Sequence, residues 1–148
     1  MTDSETSDSA LGGDSGARQG AVAVICRDQQ FLVIRRSQRV RAPLAFCFPG
    51  GGLEAGETDR DALLREIREE IGATIDPVRR LWRSVSHRGV ELFWWLAKLP
   101  GDAPLSPCPE EVHSIHWLTI DQMRDLDGLL RSNHAFLDAL EQGEFVLE

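Results

Sequence analysis

The chain has 148 residues, 42% apolar and 27% charged, which suits one domain with its own core and excludes a collagen, a disulfide scaffold or a membrane-spanning protein. No run reaches the roughly 18 consecutive apolar residues of a spanning helix. Twenty-four acids against 16 bases leave a formal charge of −8, which repels nucleic acid polymers but admits nucleotides bridged by metal ions.

Residues 1–19 are mainly Ser, Asp, Gly and Thr and read as a disordered acidic tail, with one folded domain over 20–148. The first twenty residues hold no apolar signal core, and Cys26, Cys47 and Cys108 show no CxxC spacing. The expectation is a reduced, cytoplasmic protein without a zinc site. Apolar runs at 21–26 and 31–34 predict two strands around a turn at 28–30. A loop over 35–47 carries Arg35, Arg36, Arg39 and Arg41. Phe-Pro-Gly-Gly-Gly at 48–52 is neither helix nor regular central strand. Thr58 is an N-cap, Asp59 and Asp61 favour a helix N-terminus, and Leu63, Leu64, Ile67 and Ile71 form a stripe that ends at Gly72. Strands are predicted at 81–86 and 90–98 about a turn at 87–89, with the aromatic run 92–96 buried. A Pro-rich loop leads to a strand at 112–118 and helices at 121–126 and 133–142. Strands around one strong helix argue an α/β or α+β domain.

At 100° per residue, Glu66, Glu69 and Glu70 share one edge of the helical stripe. Like charges at these spacings repel, and Arg65, which can reach Glu69, relieves only part of this. Clustered carboxylate oxygens suit Mg²⁺ or Mn²⁺, although a solvated acidic face has the same pattern. The glycines at 50–52 allow close backbone approach, and Gly56-Glu57 adds a turn and a fourth acid.

Residues 51–73 read GGLEAGETDRDALLREIREEIGA. This resembles the Nudix box, Gly-x5-Glu-x7-Arg-Glu-U-x-Glu-Glu-x-Gly-U, where U is a bulky aliphatic residue. Gly51, Glu57, Arg65, Glu66, Ile67, Glu69, Glu70 and Gly72 match, and Ala73 replaces the final U. The resemblance implies an α/β protein with the Nudix-type α/β/α sandwich, a mixed β-sheet and a loop–helix–loop catalytic motif. It implies hydrolysis of a phosphoric anhydride in which a nucleoside diphosphate is linked to a group X, assisted by Mg²⁺ or Mn²⁺. Carried over residue by residue, Glu66, Glu69, Glu70 and the Gly50 carbonyl are the expected metal ligands. Arg65 orients the carboxylates, Glu57 is a structural acid, and Gly51, Gly56 and Gly72 shape the backbone. The general base is Glu69, Glu70 or an acid of the loop before Trp117, where Glu111, also a candidate ligand, is preferred to Glu110.

Arg35 and Arg36 are candidate phosphate contacts, with a solvated loop as the alternative. Resemblance to subfamily markers selects X by elimination. The chain has no Tyr and no Ser-Gln-Pro-Trp element, and residues 32–41 only partly resemble a coenzyme A element. The remaining MutT-like group implies cleavage of a (deoxy)nucleoside triphosphate to monophosphate and pyrophosphate. Asn133, the only Asn, then reads a purine edge or caps the last helix. The alternatives are another X (a nucleotide sugar, coenzyme A or a dinucleotide) and a non-catalytic nucleotide-binding module. The expected partner is a small nucleotide-type molecule, not a nucleic acid polymer or a membrane; monomer and homodimer both stay open.

Overall fold

A computed structural model describes residues 18–148. The tail expected over 1–19 lies outside the described residues as far as 17, and Gln19 already belongs to the first strand. The strands are β1 (Gln19–Val24), β2 (Cys26–Arg27), β3 (Gln30–Arg36), β4 (Phe46–Cys47), β5 (Gly50–Gly52), β6 (Asp76–Val85), β7 (Glu91–Lys98) and β8 (Val112–Leu118). The helices are α1 (Asp59–Ile71), α2 (Ile120–Arg124) and α3 (Arg131–Glu141).

One sheet has the order β5-β1-β7-β6, with β1 and β7 parallel and the outer pairs antiparallel. In the second sheet β3 pairs antiparallel with β2, β4 and β8. Side chains alternate between the faces of β1 and β3, and so build two cores. Ala21, Ala23, Leu32 and Ile34 pack with Leu63, Ile67 and Ile71 of α1. Val24, Phe31 and Val33 pack with Met123 of α2 and Phe136 and Leu137 of α3. Helices on opposite faces of the two sheets, the first of them mixed, make the expected α/β/α sandwich. The aromatic run supplies part of the second core: Trp94 is fully buried and stacks on Phe136, centroids 4.8 Å apart.

The α1 signals hold as read. Thr58 accepts from the Asp61 N–H at 3.1 Å, and Gly72 takes the left-handed conformation (φ +69°) that closes the helix. Other boundaries shift. Gly50–Gly52 is a strand, at the sheet edge, where three glycines cost least. β6 starts at Asp76 rather than 81, because its first half is an edge segment in which Pro77 and the adjacent Arg79 and Arg80 break the apolar alternation. α2 starts at Ile120 behind a Thr119–Gln122 capping box. α3 starts at Arg131, two residues earlier than read, with Leu130 as its N-cap, so Asn133 lies inside the first turn and caps nothing. No helix among the described residues is long and apolar enough to cross a membrane.

Candidate active site

The glycines of β5 and one edge of α1 face each other across a cavity of about 380 Å³. Its walls include Gly50, Gly51, Arg65, Glu66, Glu69, Glu70, Arg36 and Glu111. Burying Leu63, Ile67 and Ile71 turns Glu66 and Glu70, one helical turn apart, inward toward β5.

Glu66, Glu70 and Glu111 each offer an oxygen, and these atoms lie within 4.8 Å of one another. Glu66 and Glu70 are only 8% and 6% exposed, so their charges cannot be left to solvent. Burial, with Glu69 and Glu111 as like charges, pushes Glu66 up to about 7 against the pull of Arg65. Burial first, then Glu66, drives Glu70 well above the ordinary carboxylate range; the Gly50 N–H, 3.0 Å from its Oε1, and the charge of Arg36 oppose this. Glu111 is raised by burial and by Glu69. Three carboxylates that resist ionising together form an oxygen-rich donor set suited to a hard divalent cation, whose charge removes their mutual repulsion. The residues fit such an ion.

Arg65 is the counter-charge. Its guanidinium donates to both oxygens of Glu57 at 2.7 and 2.9 Å, to Glu66 at 3.2 Å, to Glu69 at 3.3 Å and to the Gly52 carbonyl at 2.9 Å. Glu57 also accepts the Glu54 N–H at 2.8 Å, closing the turn that Gly56 makes at φ +81°. Glu54, which sequence reasoning missed, reaches within 3.7 Å of Arg65 and lines the cavity rim. It sits at a variable position of the box, where only an acid two residues after the glycines hints at it. Gly51 is needed for space: a Cβ there would lie 2.3 Å from the Glu66 Cδ.

Glu69 lines the cavity but stands outside the closest trio, half exposed and paired with Arg65. Gly50 meets the cluster through its N–H on Glu70. A register shift in the β3–β8 ladder passes over His113 and sets Glu111, just before β8, over the cavity. Glu110 instead is exposed, 3.8 Å from Arg39.

The two adjacent arginines separate. Arg36 lines the cavity, whereas Arg35 points to the other face of β3, where it donates to the Leu44 carbonyl at 3.0 Å and covers the Phe46 ring. Strand alternation allows only one of them in the cavity, which corrects the joint assignment. Asn133 lines a smaller adjoining cleft with Phe48, Leu92 and Ser132, sharing Arg36, Gly50 and Gly51 with the acidic cavity. Its Oδ1 accepts the Phe48 N–H at 2.8 Å and its Nδ2 donates to Ser132 Oγ at 3.1 Å. The amide is thus fixed in orientation, with one Nδ2 hydrogen beyond the Ser132 bond.

The model of the family described as "NUDIX domain" matches residues 17–140. An RNA pyrophosphohydrolase of Erythrobacter litoralis is 31% identical over 102 residues, which make up 53% of this chain and 62% of the relative. An 8-oxo-dGTP diphosphatase of Escherichia coli is 31% identical over 84 residues, 54% of this chain and 65% of the relative. The match thus spans less than two thirds of either relative's length. A solved MutT NUDIX hydrolase from Burkholderia pseudomallei superposes with a TM-score of 0.62 at 23% identity, over 82% of this chain and 95% of the other, and so shares the fold.

Proposed function

This chain belongs to the NUDIX domain family, and from that premise we propose that it is a Mg²⁺-dependent pyrophosphohydrolase that converts a (deoxy)nucleoside triphosphate to monophosphate and pyrophosphate. The observation that carries this reading is the convergence of Glu66, Glu70 and Glu111 within 4.8 Å in a cavity walled by glycine backbone.

In this reading Glu66, Glu70 and Glu111 hold the metal with the Gly50 backbone, and Glu69 extends the acidic surface at the rim. A bound divalent ion would supply neutralisation of the pyrophosphate oxygens and acidification of a water. The chain's own groups do the positioning. Arg65 fixes Glu57, Glu66 and Glu69 and keeps their oxygens from splaying. Arg36, which lines the same cavity, faces the phosphates. Glu111, raised above the ordinary carboxylate range, accepts the proton of the attacking water. Asn133 donates from Nδ2 to an acceptor on the base edge, with the base lying in the cleft beside Phe48 and Leu92.

The test is a substrate panel on the purified protein with Mg²⁺, read by released phosphate or pyrophosphate. It contains canonical and oxidised nucleoside triphosphates, ADP-ribose, a nucleotide sugar, a dinucleoside polyphosphate and coenzyme A. It also contains a 5′-triphosphate RNA, because one relative is named for RNA. Preferential release of pyrophosphate from free triphosphates is the expected result. Turnover of another substrate reassigns X and leaves the anhydride chemistry in place. Silence on all of them, with Mg²⁺ bound, overturns the triphosphate reading in favour of an untested X or a nucleotide-binding module.

A further inference from the structure

Glu111 is the one member of the acidic trio that does not come from α1. It lies on a loop, and something must hold that loop over the cavity. Two anchors do so. From one side, the Cys108 N–H donates to the Glu70 carbonyl at 2.9 Å, and the Cys108 carbonyl accepts from the N–H groups of Glu111 and Val112. These bonds are all backbone.

The second anchor is Ser37, at the start of the β3–β4 connection. Its N–H donates to the Glu111 carbonyl at 3.0 Å, and its hydroxyl donates to the Glu110 carbonyl at 2.8 Å. The same oxygen accepts the Arg39 N–H at 3.1 Å. Ser37 is 4% exposed, so these bonds are made away from competing water and each broken one leaves a buried group unpaired. The nearby Arg39–Glu110 ion pair cannot substitute, since both side chains are about three-quarters exposed (73% and 76%). Ser37 also follows Arg36 directly, which joins the two walls of the cavity through one residue.

We propose that Ser37 is a positioning residue, whose hydroxyl sets where the Glu111 carboxylate stands relative to Glu66 and Glu70. The proposal rests on the reading of Glu111 as a metal ligand given above. Its hydroxyl is the only side-chain contribution to the two anchors, and so the only one that substitution can remove.

The experiment measures Mn²⁺ affinity of the full chain from the electron paramagnetic resonance of free Mn²⁺, together with metal-free thermal unfolding. Ser37→Ala is expected to weaken Mn²⁺ binding about tenfold, in the range for loss of an outer hydrogen bond that supports a metal ligand. Ser37→Thr, which keeps the hydroxyl, restores affinity to within about threefold, and Arg39→Ala leaves it unchanged. If Ser37→Ala does not fold, Ser37→Cys, a weak donor of similar size, is measured in its place. Glu111→Gln separates the two ideas. Weaker binding in Glu111→Gln with unchanged binding in Ser37→Ala overturns the role of Ser37 alone. Unchanged binding in Glu111→Gln overturns the ligand reading and the Ser37 proposal with it. A Ser37→Thr protein as weak as Ser37→Ala also overturns the proposal, because the hydroxyl is then not the agent.

Discussion

Arg65 holds Glu57 by two parallel hydrogen bonds, Nε to Oε2 at 2.7 Å and Nη2 to Oε1 at 2.9 Å. The fork leaves Nη1 to reach Glu66 and Glu69, so one guanidinium ties the turn before α1 to the carboxylates on it. A lysine carries the charge but cannot form the fork. Arg65→Lys is therefore expected to lower kcat by about tenfold or more, with a smaller effect on KM, in steady-state kinetics. Glu57 supplies an acid-side signature. The Arg65 hydrogen bonds are the main cause that lowers its pKa below 4.5. Its stabilising contribution is complete above 4.5 and disappears as pH falls through the lower folded value. The Tm difference between wild type and Glu57→Gln should shrink toward zero on acidification through that window; a constant difference would mean that the fork contributes nothing electrostatic.

The inner carboxylates behave in the opposite sense. Glu66 titrates at about 7 in the folded chain and Glu70 well above the ordinary 4.5. Both give up their protons more readily when unfolded, so their contribution is complete below 4.5; that of Glu66 is lost as pH rises through about 7, and that of Glu70 as pH rises through its own raised value. In EDTA the protein should melt at a higher temperature at pH 5 than at pH 8, and Mg²⁺ or Mn²⁺ should recover stability at pH 8. Glu70→Gln should flatten the pH dependence, weaken the metal response and abolish turnover. Equal pH slopes for wild type and Glu70→Gln would sink the account of a buried like-charge cluster.

Glu110 and Glu111 are adjacent in sequence and unequal in place. Glu111 is half-buried in the trio, whereas Glu110 is 76% exposed at the loop surface. Glu111→Gln should reduce kcat by roughly 10²-fold or more, the low end for loss of a general base, while Glu110→Gln stays within about twofold of wild type. Equal effects of the two substitutions would return the base to Glu69 or Glu70.

The α1 helix was legible because every local signal agreed: cap, N-terminal acids, apolar stripe and the glycine stop. The box named the acids and the fold on top of that. Less was legible where the deciding partner lies far along the chain. The edge strand β6 escapes notice through its first half, because Pro77, half-buried Arg79 and exposed Arg80 lack an apolar alternation. The apolar run ends at Ile34 and leaves Arg35 and Arg36 alike in the sequence; β3 runs on to Arg36 and sends them to opposite faces. The positioning role of Ser37 carries no sequence signal, because the loop carbonyls it donates to, those of Glu110 and Glu111, lie more than 70 residues on and are main-chain atoms.

Asn133 illustrates the same limit and yields a stability prediction. Its Oδ1 pairs with the Phe48 N–H across 85 residues, and both residues are buried. Asn133→Ala leaves that donor unpaired and should destabilise the protein by about 1–3 kcal/mol in denaturant unfolding, whatever it does to substrate affinity. An unchanged midpoint would show that water replaces the amide at no cost.

Gly51 and Glu66 finally form a single unit of inheritance. Gly51 does not have a positive φ, unlike Gly50 and Gly56, so backbone torsion does not exclude a larger residue; occupied volume does, since its missing Cβ is where the Glu66 carboxyl stands. A lineage that acquires Gly51→Ala is therefore expected to lose function even though the strand can still form. Glu66→Asp, one methylene shorter, then acts as an intragenic suppressor for packing, and the two changes together should destabilise the fold less than their separate effects add up to. The glycine records, by its lack of a side chain, the length of an acid fifteen residues later.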